Sequence, residues 1–265
     1  MQDVSMVLYE NRNAVAWVTL NRPDVRNAFD DALIARLTQV FSDVENDKTI
    51  RAMVLAGNGP AFCAGADLNW MKRMAAYTYE QNLADAQALA GMLAALDRLP
   101  KPTIARVHGP AFAGGTGLVA ACDIAIGTPE AKFCFSEAKL GLSPATISPH
   151  VMRAIGERAA RRYFLTAEVF DAAEAERIGL LTFQVKKEEL DRAIETLLAH
   201  LLAGGPEALA QIKDLIRAVA GRPVDDALAA DTAKRIAEIR VSPEGREGIA
   251  SFLEKRKAAW CSQKS

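Results

Sequence analysis

Thr103-Ile104-Ala105-Arg106-Val107, His108-Gly109-Pro110-Ala111-Phe112-Ala113, Gly114-Gly115-Thr116-Gly117-Leu118-Val119-Ala120-Ala121-Cys122, Asp123, Ile124-Ala125-Ile126: this stretch decides the fold. Thr103–Val107 is a β-rich apolar run. Gly114–Cys122 is a short apolar segment opened by two glycines, which reads as a helix. Ile124–Ile126 is again strand-like. A strand, a helix and a second strand in so little chain form a parallel crossover unit, the signature of an α/β protein.

The same alternation extends on both sides. Upstream, Ala14–Leu20 and Ala52–Ala56 are compact strands, closed by Asn21-Arg22-Pro23-Asp24 and Gly57-Asn58-Gly59-Pro60. Between them Leu33, Leu37, Val40, Phe41 and Val44 recur at helical spacing, which predicts a helix over 30–44. Tyr79–Leu99 is a second, longer amphipathic helix, and Phe133–Phe135 a short fifth strand. From Glu157 the character changes. Glu157–Leu165 and Asp171–Ile178 are helical patterns, Leu181–Val185 is a brief strand, and nearly everything past Lys187 reads as helix. Pro206 and Pro243 stand where a first helical turn accepts proline. The last three helices are too few and too thin to enclose a core of their own. Stripes such as Ile194, Leu197, Leu198 and Leu201, then Leu209, Ile212, Leu215, Ile216 and Val219, therefore predict an interface.

Bulk properties exclude several classes. With 265 residues and 50% hydrophobic content, the chain can bury a full core. Lys+Arg 32 against Asp+Glu 33 leaves a net charge of -1, which gives no electrostatic footprint for nucleic acid or a membrane surface. The basic run Arg158–Arg162 reads as one charged face of a helix. The apolar run Ala88–Leu96 stops at Asp97, far short of a membrane span, and the N-terminus has no apolar signal segment. Cys63, Cys122, Cys134 and Cys261 share no metal-ligand spacing, nor do His108, His150 and His200. Free thiols in apolar surroundings predict a reducing compartment, the cytoplasm, and no bound metal is expected.

Three segments carry chemistry: Ala64-Gly65-Ala66-Asp67-Leu68, Gly109 to Leu118, and Phe135-Ser136-Glu137-Ala138-Lys139-Leu140-Gly141-Leu142. The first two each present a backbone N–H from a glycine-containing turn at a helix start, where donors have no partner in the helix. Asp67 fits the cap of a helix beginning near Leu68. The third offers one carboxylate, Glu137, on apolar flanks. Two converging N–H groups and one carboxylate suit chemistry on a thioester, whose carbonyl oxygen gathers negative charge while a proton moves. A dinucleotide or phosphate loop does not fit, because neither G-x-G-x-x-G after a strand nor a following Gly-Lys-Ser/Thr is present.

Asn21-Arg22-Pro23, Asn27-Ala28-Phe29, Ala64–Leu68, Gly109 with Gly114-Gly115, Cys122-Asp123-Ile124-Ala125, and Glu137 with Leu140-Gly141-Leu142 and Pro144 fall in one order along the chain. In that order and spacing the chain resembles the crotonase superfamily of enoyl-CoA hydratases and isomerases, nearly end to end. The resemblance implies a spiral of β-β-α units over residues 1–195, followed by a helical oligomerisation region over 196–265. That region would build homotrimers, often paired into hexamers. The resemblance further implies that the N–H groups of Ala66 and Gly114 form an oxyanion hole and that Glu137 is the catalytic carboxylate. Coenzyme A, as part of the acyl-CoA substrate and not a separate cofactor, would lie along Ala64, Gly65, Asp67 and Leu68, with Val25 and Ala28 at the nucleotide end. Gly115 and Pro144 would complete the substrate site.

One departure bears on mechanism. Typical hydratases of the family carry a second glutamate where Gly117 stands, and a glycine-rich turn where Ala145-Thr146-Ile147-Ser148 stands. A single glutamate suffices for a Δ3–Δ2 isomerase. On the other side, Pro144–Pro149 followed by Ala154–Tyr163 is similar to bacterial 3-methylglutaconyl-CoA and isohexenylglutaconyl-CoA hydratases of leucine and acyclic-terpene breakdown, a subgroup that shares the missing glutamate. A hydro-lyase acting on a branched glutaconyl-type thioester is the leading expectation. Isomerisation by Glu137 alone and a non-catalytic acyl-CoA binder are the alternatives.

Overall fold

The computed structural model describes residues 5–261. The described residues divide into two compact units, 5–99 with 103–195, and 100–102 with 196–261.

The first unit opens with strands β1 (Val7–Arg12) and β2 (Val15–Leu20), paired antiparallel. Their connection, Asn13-Ala14, has φ of 53° and 64° at its two residues, the left-handed pair that a two-residue hairpin demands. The sequence pattern starts the second strand at Ala14, but Ala14 belongs to this turn. β1 itself escapes the pattern because Glu10, Asn11 and Arg12 point into solvent on an edge strand.

Next come helix α1 (Asp31–Asn46), strand β3 (Ala52–Gly57), helices α2 (Leu68–Met74) and α3 (Tyr79–Arg98), and strand β4 (Thr103–Val107). Strand β5 (Ala111–Phe112) and helix α4 (Gly114–Ala121) follow, then strands β6 (Ile124–Gly127) and β7 (Lys132–Cys134). Helix α5 (Ser148–Thr166), strand β8 (Phe170–Asp171), helix α6 (Ala172–Arg177) and strand β9 (Phe183–Gln184) complete the series. The main sheet runs β1-β2-β3-β4-β6-β9, parallel everywhere except β1. Every residue of β3 is buried, which explains an unbroken apolar run without alternation. A second sheet, β5-β7-β8, lies apart from it in the topology and carries the site.

α1 shows how local sequence becomes structure here. Asp30 caps it by accepting from Leu33 N–H at 2.8 Å, and Leu33, Leu37, Val40, Phe41 and Val44 are all buried on one face. α5 begins nine residues before Glu157, where the apolar pattern first reads as helix. Pro149 sits in its first turn, and Gly156, at φ 73° and ψ 163°, breaks the helical path just before Glu157. The periodicity is therefore split in two, and only the second half is legible.

The second unit consists of the chain after Glu195, in which helix α7 (Leu190–Ala203) ends, with helices α8 (Pro206–Val219), α9 (Asp226–Val241) and α10 (Pro243–Leu253). Pro206 and Pro243 are the first residues of α8 and α10, where a missing N–H costs nothing. The Glu244 carboxylate accepts from the N–H groups of Glu207 (3.0 Å) and Ala208 (2.8 Å), so α10 caps α8. Of the apolar stripes, Ile194 and Leu198 are buried within the chain, Ile212 and Ile216 are exposed, and Leu197, Leu201, Leu209, Leu215 and Val219 are half-buried. Outside the stripes, Ile236, Val241, Ile249, Phe252 and Leu253 are exposed as well. Among the described residues no helix is long and apolar enough to cross a membrane.

Candidate active site

The site is built on two loops that lie against each other. Phe62 N–H donates to Pro110 O (3.0 Å), and Phe112 N–H donates to Cys63 O (2.9 Å). The approach is close enough that a Cβ on Gly115 would stand 2.3 Å from Cys63 O, so no side chain fits there. Gly65 takes φ +90°, and a Cβ on it would meet Ala113 Cβ and Phe112 O, each at 3.2 Å. The small residues Cys63-Ala64-Gly65-Ala66 thus let the first loop seat directly on the second.

Phe29 fixes the direction of the first loop. It forms an isolated parallel bridge with Ala66: Phe29 N–H donates to Gly65 O (2.6 Å), and Asp67 N–H donates to Phe29 O (2.7 Å). These bonds take the groups on either side of Ala66 and leave the Ala66 N–H out. Asp67 then caps α2 by accepting from Asn69 N–H (2.8 Å) and Trp70 N–H (3.3 Å), as the sequence predicts.

Gly114 is the first residue of α4, so its N–H has no partner inside the helix. The residue before it, Ala113, is held at φ 47°, ψ -117°, a conformation that an alanine adopts only at a cost of about 1–3 kcal/mol. Its N–H donates to Cys134 O (2.8 Å), and Thr116 Oγ1 donates to Ala111 O (2.7 Å). Neither Ala66 N–H nor Gly114 N–H donates to an acceptor among the described residues. A Cβ on Gly114 would lie 2.8 Å from the Phe29 ring, so Phe29 abuts both donor segments.

Glu137 arrives from β7. Phe133 and Phe135 are fully buried, packed with Phe164 and Phe170 at centroid distances of 4.8–5.9 Å, and they anchor the chain just before the glutamate. Glu137 sits in a short 3-10 turn, Ser136–Leu140, closed by Leu142 N–H donating to Glu137 O (3.0 Å). Its Oε2 is buried and has no hydrogen-bond partner. Burial raises its pKa above the usual carboxylate value, against a smaller lowering by its own backbone N–H. A carboxyl that burial makes hold its proton more tightly than usual is suited to acid–base work.

The remaining predicted positions divide. Val25 and Leu68 are exposed at 41% and 74%, and Ala64 is half-buried, so all three are open to a ligand. Ala28, Gly115 and Pro144 are buried, and the Ala28 carbonyl accepts from Arg22 Nη1 (2.6 Å). Both Asp67 oxygens already have protein partners, the α2 cap and Arg22 (3.4 Å). The two departures in sequence prove to be one feature in space. A Cβ on Gly117 would stand 2.4 Å from Ile147 Cγ2, and Ile147 is 2% exposed.

Sequence reasoning assigned no role to Phe29 or Asn27. Asn27 is wholly buried in a left-handed conformation (φ 57°), and its Nδ2 donates to the carbonyls of Asn58 (2.9 Å), Ala61 (2.9 Å) and Phe62 (3.1 Å). Its sequence signals are an asparagine beside a turn and its place in the Asn27-Ala28-Phe29 segment of the family resemblance, neither of which states these contacts. None of the three histidines joins the site. His108 Nε2 is engaged with Gly59 O at 2.9 Å, and burial lowers the pKa of both His108 and His150.

Comparison with known proteins identifies the family. The family model described as enoyl-CoA hydratase/isomerase matches residues 10–263. The enoyl-CoA hydratase EchA19 of Mycobacterium tuberculosis is 35% identical over 251 residues, covering 94% of each chain. The crystal structure of an enoyl-CoA hydratase from Shewanella pealeana superposes with a TM-score of 0.95 at 43% identity, covering 98% of this chain and 97% of that one. Pseudomonas aeruginosa AtuE gives 0.92 at 36% identity, covering 97% and 100%. The chain is an enzyme of the enoyl-CoA hydratase/isomerase family, within the crotonase superfamily.

Proposed function

We propose that this enzyme adds water across the double bond of an α,β-unsaturated acyl-CoA, with a branched glutaconyl-type thioester as the preferred substrate. The observation that carries the reading is the buried, unpartnered Oε2 of Glu137 facing no protein donor, in a site that also offers two free backbone N–H groups. The thioester carbonyl accepts from Ala66 and Gly114. Glu137 takes a proton from water as the hydroxyl oxygen bonds to Cβ, and the electron pair of the C=C bond moves onto the thioester oxygen as an enolate. Glu137 then returns the proton to Cα, so one carboxylate serves both transfers. Each oxyanion donor contributes about 3–4 kcal/mol of transition-state stabilisation. No metal or redox cofactor enters, because the polarised thioester is itself the electron sink.

The glutaconyl preference is supported by the Pro144–Pro149 segment and by Ile147 occupying the place where a second glutamate would extend from Gly117. The same vacancy favours a second reading, Δ3–Δ2 isomerisation, in which Glu137 moves a proton between carbons without water. Assembly as a homotrimer or a dimer of trimers belongs to the proposal and is supported by the exposed Ile212, Ile216, Phe252 and Leu253. So does cytoplasmic residence, supported by four free cysteines. Crotonyl-CoA, 3-methylglutaconyl-CoA and a 3-enoyl-CoA, offered separately, test the reading by product mass. A gain of one water on the branched glutaconyl substrate is expected. A shifted double bond at unchanged mass selects the isomerase, and no turnover with retained thioester binding leaves an acyl-CoA binder.

A further inference from the structure

The segment 22–30 surrounds the Ala66 loop, and its centre is a guanidinium rather than a glycine. We propose that Arg22 is a positioning residue for the oxyanion hole, locking the Phe29–Ala66 bridge by clamping the N-cap carboxylates of α1 and α2 together. The inference rests on the proposed role of the Ala66 and Gly114 N–H groups.

Arg22 Nη2 pairs with Asp30 Oδ2 at 2.8 Å and with Asp67 Oδ2 at 3.4 Å. The other oxygen of each carboxylate is the helix cap: Asp30 Oδ1 accepts from Leu33 N–H, and Asp67 Oδ1 from Asn69 N–H. A single side chain therefore ties together the first turns of two helices that are far apart in sequence. Arg22 Nη1 meanwhile donates to Ala28 O (2.6 Å), and Arg22 N–H donates to Asn27 Oδ1 (2.8 Å). Ala64 N–H donates to Arg26 O (3.0 Å), so residues 26–29 grip residues 61–67 along the whole loop. Asp30 and Asp67 directly follow the two partners of the bridge, Phe29 and Ala66. Whatever sets the distance between those carboxylates sets the bridge.

Without the cation, two carboxylates that share one nitrogen face each other and repel, in a setting where Asp67 is buried. The fork geometry also matters, since a lysine ammonium is a point charge that cannot hold Ala28 O and both carboxylates in one plane. The Phe29 ring abuts Gly114, so a shift of Phe29 disturbs the second donor as well as the first. A misplacement of about 1 Å in a catalytic group can cost on the order of 10²-fold in rate. Arg22 itself need touch no substrate atom for this to happen.

The experiment compares wild type, Arg22→Met and Arg22→Lys, using butyryl-CoA labelled with 13C at the thioester carbonyl as an unreactive probe. Difference infrared spectroscopy reads how far the bound carbonyl stretch falls below its free frequency, and steady-state turnover of the preferred enoyl-CoA gives kcat and KM. Arg22→Met should return the band most of the way to the free value and lower kcat by about 10- to 100-fold. KM is not a control here, because Ala28 and Asp67, expected along coenzyme A, are themselves partners of Arg22. The carbonyl band is the deciding readout, and Arg22→Lys should fall between. Should Arg22→Met not fold, Asp67→Asn, which keeps an N-cap oxygen and removes one charge from the clamp, carries the same measurement. An Arg22→Met band equal to wild type overturns the inference even if stability falls, because the arginine is then only structural. A wild-type band at the free frequency overturns the oxyanion reading and the Arg22 role together.

Discussion

Gly117→Glu restores the second carboxylate of typical hydratases, and the structure predicts that it harms this enzyme. The new Cβ alone would stand 2.4 Å from Ile147 Cγ2 and 3.0 Å from Ile147 Cβ. Carbon atoms pack at about 3.5–4.0 Å, so Ile147 must retreat by more than 1 Å. It cannot do so freely. Ile147 is 2% exposed, and its carbonyl receives both His150 N–H and Val151 N–H at 3.1 Å. Overpacking of this kind costs about 1–3 kcal/mol. The carboxylate then extends from a wholly apolar first contact, Ile147 and Leu93, which adds about 1–3 kcal/mol for an unpaired polar group. A total of roughly 2–6 kcal/mol is therefore predicted, read as a fall in the urea midpoint at unchanged slope. Hydration of crotonyl-CoA should drop with it. The double variant Gly117→Glu with Ile147→Gly should recover part of the stability, because the two sites are in contact and their effects are not additive. A large gain in crotonyl-CoA hydration by the single variant refutes this reasoning.

Glu137→Gln should reduce turnover by about 10²- to 10⁴-fold with nearly unchanged acyl-CoA binding, and a variant retaining most activity would remove Glu137 from the mechanism. The same variant bears on stability. A carboxyl whose folded pKa is raised binds its proton more tightly folded than unfolded, so its ionisation costs stability as pH rises from the ordinary value of 4.5 through the raised one. Oε2 also has no partner to lose, so calorimetry at neutral pH should find Glu137→Gln at least as stable as wild type. For wild type, kcat/KM should rise with pH through that raised value, because hydration needs the ionised carboxylate. Gly115→Ala should fail to accumulate as folded protein, since its Cβ would sit 2.3 Å from Cys63 O in backbone that cannot yield; normal solubility and melting would contradict the loop contact. The intact chain should scatter light at trimer or hexamer mass, and Ile216→Asp with Phe252→Asp should lower it; wild type at monomer mass would refute the interface.

The sequence alone determined the elements with strong internal period: α1, β3, β4, α4 and the first residues of α8 and α10. In each, apolar spacing, a cap or a proline states the local answer without help from elsewhere. It also marked the segments 64–68 and 109–118 and the carboxylate Glu137 as candidates, because helix-start glycines and a carboxylate on apolar flanks are local signals. The choice of Ala66 and Gly114 within those segments came from the family resemblance. β1 was not legible, since an edge strand need not alternate, and the first half of α5 was hidden by the break at Gly156. Tertiary structure alone decided what those candidates touch. That Phe29 bridges Ala66 while its ring abuts Gly114 is a relation among three distant segments. The contact of Ile147 with Gly117, and the clamp of Arg22 on two helix caps, are relations of the same kind. A turn or a cap is set by a few neighbouring dihedrals. The orientation of a free N–H is set by which carbonyl, arriving from elsewhere in the chain, has taken the group beside it.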